Sequence, residues 1–236
     1  MISRSRFYRM SRAFIVAIGL VGVGSGCGSG TGDIANVDSQ GESIICFGDS
    51  ITEGVGAPAN RGYPAVLASL LGSPIINAGR RGDTTYNAIT RLEKEVLAKN
   101  PFLVIVEFGG NDMLKRIPSE ETFRNLAQVI ERIQEHGAMV LLVGVESDFP
   151  FSSSGYRRSY AELSRRYHTA LIPNILEGIL SNPDYKSDSI HPNEAGYRLI
   201  AGRIYDAVRP LLERNVALTQ RGRTRRMSRA AGRAMR

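Results

Sequence analysis

The 236-residue chain contains five short apolar runs, and a longer amphipathic stretch separates each run from the next. The runs cover residues 43–47, 74–78, 103–108, 139–145 and, less clearly, 170–172. They lack the alternation of polar and apolar residues that marks a strand with one face in water, so they predict strands that are buried on both faces. Strands of this kind belong to parallel sheets that helices cover on both sides.

The stretches between the runs have the periodicity of amphipathic helices. One predicted helix, residues 85–98, places four apolar side chains on one face, namely Ala88, Ile89, Leu92 and Val96. A second helix is predicted from the acidic turn at residues 119–121 to a stop at Gly137, and a third after Pro192. Strands that alternate with helices predict an α/β fold, a three-layer sandwich with a central five-stranded parallel sheet of the flavodoxin-like kind.

The formal net charge of +7 is concentrated at the two ends of the chain. The first 27 residues carry four arginines and no acidic residue, and the residues after Gln220 carry seven arginines and no acidic residue. The part between these ends is therefore mildly acidic. It lacks the basic stripe that binds nucleic-acid phosphates, so we expect no nucleic-acid partner.

The first 27 residues have the three parts of an export signal: arginines, an apolar run at residues 13–24, and small residues. The run is too short to span a bilayer. Cys27 follows Gly-Ser-Gly, which resembles a bacterial lipoprotein cleavage box, although Gly24 stands where leucine is expected. Residues 1–27 therefore predict an export signal of the plain or the lipoprotein type. The protein is expected in the periplasm or cell envelope, and the lipoprotein type would attach it to the membrane through a lipidated Cys27.

Composition also divides the rest of the chain. Residues 28–42 are rich in small and polar residues and predict a flexible linker, residues 43–213 form the predicted folded domain, and residues 214–236 predict a basic, disordered tail.

Cys46 lies in the first apolar run, which favours core packing over a disulfide with Cys27. Three histidines without paired ligand spacing predict no metal site.

Four glycine-containing or loop segments at the predicted strand exits and before the last helix carry polar side chains. They are Gly48-Asp49-Ser50, Gly79-Arg80-Arg81-Gly82-Asp83, Gly109-Gly110-Asn111-Asp112 and Asp188-Ser189-Ile190-His191. Each one alone would pass as a turn. Because ligands of such sheets bind beyond the carboxyl ends of the strands, the occurrence of all four in order predicts one shared site.

The residue types in these segments suit acyl transfer. A serine hydroxyl is a poor nucleophile until a base removes its proton, and His191 can do this for Ser50 if Asp188 holds its other ring nitrogen. An oxyanion needs donors that point at it, and the backbone N–H groups of Ser50 and Gly82 and the side-chain amide of Asn111 can supply three. This chemistry requires no cofactor.

Together the four segments resemble the SGNH (GDSL) hydrolases, which are named for their Ser, Gly, Asn and His residues. The resemblance covers residues 43–213. It implies that Ser50 is the nucleophile, that Gly82 and Asn111 complete the oxyanion hole with the Ser50 N–H, that His191 is the base and that Asp188 orients it. The stretches NAGRRGDTT, VEFGGND and YRRSYAEL look most like the periplasmic bacterial thioesterase and lysophospholipase branch, often labelled arylesterase.

The resemblance implies a serine esterase that hydrolyses carboxylic ester or thioester bonds, including those of lysophospholipids, through an acyl-enzyme on Ser50. A carbohydrate O-deacetylase and an O-acyltransferase would use the same triad and stay open as alternatives. A non-catalytic binding module is the alternative from another class. The intact Ser50, Asp188 and His191 speak against that last possibility.

Other polar residues near the four segments receive simpler interpretations. Three carboxylates in glycine-rich turns are interpreted as turn-fixing rather than as proton donors: Asp49, Asp83 and Asp112. Arg80 and Arg81 either steer an anionic substrate or belong to a solvated loop. Residues 146–160, which contain two phenylalanines, predict either a lid over the site or an anchored loop.

Overall fold

The computed structural model describes residues 34–146 and 155–234, with side chains up to residue 222. Five strands form one sheet: β1 (Ser43–Gly48), β2 (Ile75–Gly79), β3 (Pro101–Glu107), β4 (Met139–Val143) and β5 (Ala170–Ile172). All neighbouring strands are parallel, and their order is β2-β1-β3-β4-β5. This confirms the predicted five-stranded parallel sheet, and the strand order is that of flavodoxin-like folds.

Helices connect the strands and cover both faces of the sheet. They are α1 (Ser50–Glu53), α2 (Tyr63–Leu71), α3 (Thr85–Glu95), α4 (Gly110–Leu114), α5 (Ser119–Glu135), α6 (Gly155–Tyr167) and α7 (Glu194–Ala234). The three helices predicted from periodicity correspond to α3, α5 and α7. The apolar pattern of α6 is too weak to predict a helix, because this arginine-rich segment buries only three side chains, those of Tyr156, Tyr160 and Leu163.

Alternation along the strands divides the core into two layers. Successive strand side chains point to opposite faces of a sheet. Ile44 and Cys46 of β1 pack with α2 and α7, whereas Ile45 and Phe47 pack with α3, α5 and α6. Cys46 is a buried free thiol, as expected for a core residue. The fold is therefore the three-layer α/β sandwich that the sequence predicts.

The folded body begins earlier than the predicted boundary at residue 43. Ile34 and Val37 pack against the core, and the amide of Asn36 donates hydrogen bonds to the backbone carbonyls of Gln134 and Ala138. The predicted linker at residues 28–42 therefore differs from the structure over residues 34–42. Its polar composition concealed this, because only two of these side chains are large and apolar.

The folded body also ends later than residue 213. Asn215 is buried, and its amide donates to the backbone carbonyls of Val37 and Ser39. Beyond it, α7 continues to Ala234, where a disordered tail was predicted for residues 214–236. The helix continues because the stretch after Pro210 has no further proline, is rich in arginine and alanine, and extends a helix that is already nucleated.

Two sequence-based expectations concern residues outside the described part of the chain. The predicted export signal at residues 1–27, with Cys27, is one of them, and most of the candidate lid at residues 146–160 is the other. Residues 155–160 of the candidate lid begin α6. Over residues 34–146 and 155–234, no helix is long and apolar enough to cross a membrane.

Candidate active site

The carboxyl ends of β1 and β3 lie side by side at the point where the strand order reverses. The chain leaves β1 toward β2 on one side and later enters β3 on the other side, so a crevice forms between the loops that follow β1 and β3. Ser50 follows β1 at the start of α1, and Asn111 follows β3 in α4. The sheet topology thus brings two of the predicted site residues to one edge.

The fourth segment, Asp188–His191, precedes α7 and meets Ser50 at this edge. The Nε2 atom of His191 lies 3.1 Å from Oγ of Ser50, and its Nδ1 atom lies 2.8 Å from Oδ2 of Asp188. A carboxylate accepts hydrogen bonds only, so the Asp188 contact fixes the proton on Nδ1 and leaves Nε2 free to accept the Ser50 proton. The three predicted triad residues are therefore joined in the order that proton transfer requires.

Asp188 is held in place by its own loop. Its Oδ1 atom accepts hydrogen bonds from the backbone N–H groups of Ile190 and His191, each at 2.8 Å. Partial burial acts to raise the pKa of Asp188, but the hydrogen bonds from the His191 ring and the two N–H groups outweigh it and lower the pKa below its ordinary value. Asp188 is thus ionised at neutral pH and can stabilise an imidazolium on His191.

The three predicted oxyanion donors border the same cavity. Ser50, Gly82 and Asn111 all line it, together with His191. Gly82 has a φ of 77°, in the left-handed region that favours glycine, and a Cβ atom there would meet nothing within 4 Å. Glycine is therefore needed at this position for its backbone conformation and not for lack of space.

The Asn111 amide is oriented by two acceptors. Its Nδ2 atom donates to Oδ2 of Asp49 and to the backbone carbonyl of Asp83, both at 3.0 Å. Both N–H groups are engaged, so a substrate oxyanion would have to share one of them. The Asp49 contact thereby sets the direction in which the amide points.

We expect replacement of Asn111 by alanine to lower kcat by about 10²-fold to 10³-fold, because the variant lacks one of the oxyanion donors. KM should stay near the wild-type value, since the lost interaction is made in the transition state. Steady-state rates with a p-nitrophenyl acyl ester measure both constants, and Asn77→Ala, an exposed amide on β2, is the matched control. A loss confined to KM would contradict the oxyanion role.

The carboxylates of Asp49, Asp83 and Asp112 accept hydrogen bonds from backbone or side-chain donors near the cavity. Asp49 caps α1 by accepting from the backbone N–H of Ile51 at 3.0 Å, and Asp112 accepts from the backbone N–H and hydroxyl of Thr85. Burial raises the pKa of Asp49 to about 6, against the opposing effect of its hydrogen bonds. Each of these carboxylates orients backbone or side chains around the cavity.

The remaining carboxylate, Asp83, pairs with a buried arginine that the sequence analysis did not identify. Arg91 of α3 pairs with Asp83, and its guanidinium donates to the backbone carbonyls of Gly48 and Ala78, at the carboxyl ends of β1 and β2. The loop that carries Gly82 is thus tied to the two strands beside it. A charged residue on the buried face of a predicted helix was the available signal.

The two arginines of the Gly82 loop are exposed and paired with carboxylates. Arg80 contacts Glu95, and Arg81 contacts Glu53. Arg81 also borders the cavity. Because each positive charge has a negative partner, their attraction for an anionic substrate is weaker than the sequence suggests.

The cavity beside Ser50 is mainly apolar, with a volume of about 450 Å³. Its apolar lining consists of Ile51, Val55, Met113, Leu114, Val145, Leu176, Leu180 and Ile190. Sequence reasoning did not single out Leu176 and Leu180, which lie in the turn region after β5 and line the cavity. The arrangement can hold an apolar group next to the Ser50 hydroxyl.

Comparisons with known proteins identify the family of this chain. Residues 46–199 match the model of the GDSL-like Lipase/Acylhydrolase family. "Esterase TesA" of Pseudomonas aeruginosa is 29% identical over 72% of this chain and 90% of its own length. "Thioesterase 1/protease 1/lysophospholipase L1" of Escherichia coli is 26% identical over 72% of this chain and 85% of its own length.

A solved structure shows the same fold. The crystal structure of TesA superposes with a TM-score of 0.68 at 29% identity, over 72% of this chain and 99% of that chain. The family match spans more than half of the residues and contains all four predicted segments. This chain therefore belongs to the GDSL-like lipase/acylhydrolase family, as its resemblance to the SGNH hydrolases predicted.

Proposed function

We propose that this protein is a serine esterase that hydrolyses acyl ester or thioester bonds through an acyl-enzyme on Ser50. The observation that carries the proposal is the chain of contacts from Ser50 through His191 to Asp188 at the edge of an apolar cavity. Membership in a family of lipases and acylhydrolases supports the reaction class. The names of two relatives also describe hydrolysis of esters and thioesters by those proteins.

Each step of the proposed reaction has a residue positioned for it. Oγ of Ser50 attacks the carbonyl carbon while Nε2 of His191 takes the hydroxyl proton, and the backbone N–H groups of Ser50 and Gly82 and the Asn111 amide bind the oxyanion. The C–O or C–S bond to the leaving group then breaks, and His191 returns the proton to the alcohol or thiol. Water attacks the acyl-enzyme by the same path in reverse and releases the carboxylic acid.

The cavity favours an acyl group longer than acetyl. Eight apolar side chains line it, and an acyl chain that enters it is removed from water. Burial of one methylene contributes about 0.8 kcal/mol, which corresponds to roughly a fourfold gain in affinity. The relatives with thioesterase and lysophospholipase names support such substrates. The O-deacetylase, the acyltransferase and the non-catalytic module gain no comparable support.

A series of p-nitrophenyl esters tests the acyl preference. We expect kcat/KM to rise from acetate through butyrate to octanoate, because each added methylene enters the apolar cavity. Leu180→Phe, which fills part of this cavity, should shift the optimum toward shorter chains, whereas Leu70→Phe, at an exposed position on α2, should leave it unchanged. A wild-type preference for acetate would contradict the proposed substrate class.

We further propose that the protein is exported to the cell envelope and that its N-terminal signal is removed, either directly before a lipidated Cys27 or by a plain secretory cleavage without lipidation. The support is the order of arginines, apolar run and small residues in that segment. Fatty-acid labelling of the wild type and of Cys27→Ser separates the two types of signal. Retention of an unprocessed chain in the cytoplasm would exclude export.

A further inference from the structure

A fully buried carboxyl group lies beneath the nucleophile. Glu107 is the last residue of β3 and is 1% exposed. Its Oε2 atom accepts a hydrogen bond from the hydroxyl of Thr52 at 2.8 Å and another from the backbone N–H of Asp49 at 3.4 Å. Its Oε1 atom has no partner among the described residues. A buried acid in this position requires a reason, because burial of an ionised carboxylate is costly.

The two donors to Glu107 stand on either side of Ser50. Asp49 precedes Ser50 directly, and Thr52 follows it by two residues. The side chain of Glu107 thus ties the N-cap and the third residue of the short helix α1 to β3. The phenol of Tyr63 lies 2.8 Å from the Thr52 hydroxyl and extends this buried chain of polar groups. The position of the Ser50 N–H and hydroxyl therefore depends on Glu107.

The same carboxyl also acts on the opposite wall of the site through Asp49. The carboxylate of Asp49 accepts from the Asn111 amide at 3.0 Å, so whatever fixes Asp49 also directs Asn111. Glu107 itself does not line the cavity. It cannot touch substrate there, and its influence on the reaction must pass through α1 and Asp49.

The surroundings of Glu107 favour its neutral form. Burial raises the pKa of Glu107 well above its ordinary value, and the charge of Asp49 raises it further. Two adjacent buried carboxyl groups share one proton more readily than they carry two charges. The other titratable groups that face Glu107 from β1, α2, α6 and α7 are neutral at pH 7, because burial raises their pKa values: Cys46, Tyr63, Tyr160 and Tyr197. His191 faces Asp49 from the loop before α7.

We propose that Glu107 is a positioning residue of this esterase, and that its buried carboxyl holds the Ser50 helix and, through Asp49, the Asn111 amide in their reactive arrangement. The proposal rests on the proposed function. It explains why an acid occupies the end of a buried strand and why its hydrogen bonds go to α1.

Variants at position 107 separate positioning from mere packing. Glu107→Gln keeps the shape of the neutral acid and an oxygen that can accept from Thr52, so its kcat at pH 7 should stay close to that of the wild type. Glu107→Leu fills the same space without an acceptor, and kcat should fall by about 10²-fold, because small displacements of reacting groups have effects of this size. KM should change little in both. Glu93→Leu, at a glutamate that is 70% exposed on α3, is the control.

The pH dependence supplies a second readout. At high pH the wild-type pair loses its shared proton, the two carboxylates repel each other, and kcat should decline on an alkaline limb that Glu107→Gln lacks. The free energy of unfolding should also decrease as the pH rises. Because the pKa of Glu107 is raised in the folded state, its protonation contributes stability that is fully present below the ordinary pKa of a glutamate and is lost as the pH rises through the folded-state pKa. The Tm of Glu107→Gln should therefore rise relative to wild type as the pH increases above the ordinary pKa of a glutamate.

Two variants of Thr52 test the proposal even if Glu107→Leu fails to fold. Thr52→Val removes one donor to Glu107 and should lower kcat with little change in KM, whereas Thr52→Ser keeps the hydroxyl and should restore it. The proposal is overturned if Glu107→Gln loses as much kcat as Glu107→Leu, if it keeps the alkaline limb, or if Thr52→Val and Thr52→Ser are equally active. Failure of the proposed function itself would show separately, as equal ester hydrolysis by wild type and Ser50→Ala.

Discussion

Replacement of Ser50 by alanine should lower kcat for p-nitrophenyl octanoate by about 10⁶-fold, the loss typical of a serine nucleophile in a triad. The variant has no hydroxyl to form the acyl-enzyme, although the oxyanion donors and the apolar cavity remain. A residual acceleration of about 10³-fold to 10⁴-fold over water is therefore expected from these groups alone. Initial rates at saturating substrate, measured with purified protein, give kcat for both chains.

The control for this change is Ser69→Ala, at an exposed serine of α2 outside the cavity. This change also removes a serine hydroxyl, but at a position outside the cavity, and we expect wild-type rates. Equal melting temperatures of the three proteins would show that the fold is intact. If Ser50→Ala retains turnover within about tenfold of wild type, the nucleophile has been assigned to the wrong residue.

Replacement of His191 by alanine should have an effect of nearly the same size, because it removes the imidazole that contacts the Ser50 hydroxyl and can take its proton. The double variant with Ser50→Ala should lose nothing further, since residues that act as one unit are not additive. Asp188→Asn should lower kcat by a smaller factor, about 10⁴-fold, because the imidazole remains but its tautomer is no longer fixed. The same ester assay measures all three variants.

His136→Ala is the matched control for the imidazole. His136 lies at the carboxyl end of α5, where its backbone closes the last turn of the helix, and it does not line the cavity. Its loss should leave kcat unchanged. An additive loss in the Ser50 and His191 double variant would mean that the two side chains act in separate steps, which the 3.1 Å contact between them does not support.

Much of this fold and site could be predicted because its signals are local. The runs that became β1 and β3 are apolar except for Ser43 and Glu107, and each is followed at once by glycine and a polar side chain of the site. Parallel topology then makes strand ends neighbours without knowledge of any contact. Ser50, Asn111 and His191 could be assigned in this way although 141 residues separate the first from the last.

Other features depend on tertiary contacts that leave little trace in the sequence. Glu107 reads as the polar end of a strand, and only its burial beneath α1 shows what it holds. Leu176 and Leu180 lie between β5 and α7, where nothing in the sequence distinguishes cavity walls from ordinary packing. The ends of the domain were misplaced for a similar reason, because a few contacts such as those of Asn215 order segments whose composition is typical of linkers and tails.

The central claim is that His191 activates Ser50 beside an accessible cavity, and labelling with a fluorophosphonate tests it most directly. The account predicts one equivalent of label per chain, located by mass spectrometry on the Ser50 peptide, with slow labelling of His191→Ala and none of Ser50→Ala. Absence of label on the folded wild-type protein, or label that persists on Ser50→Ala, would contradict it.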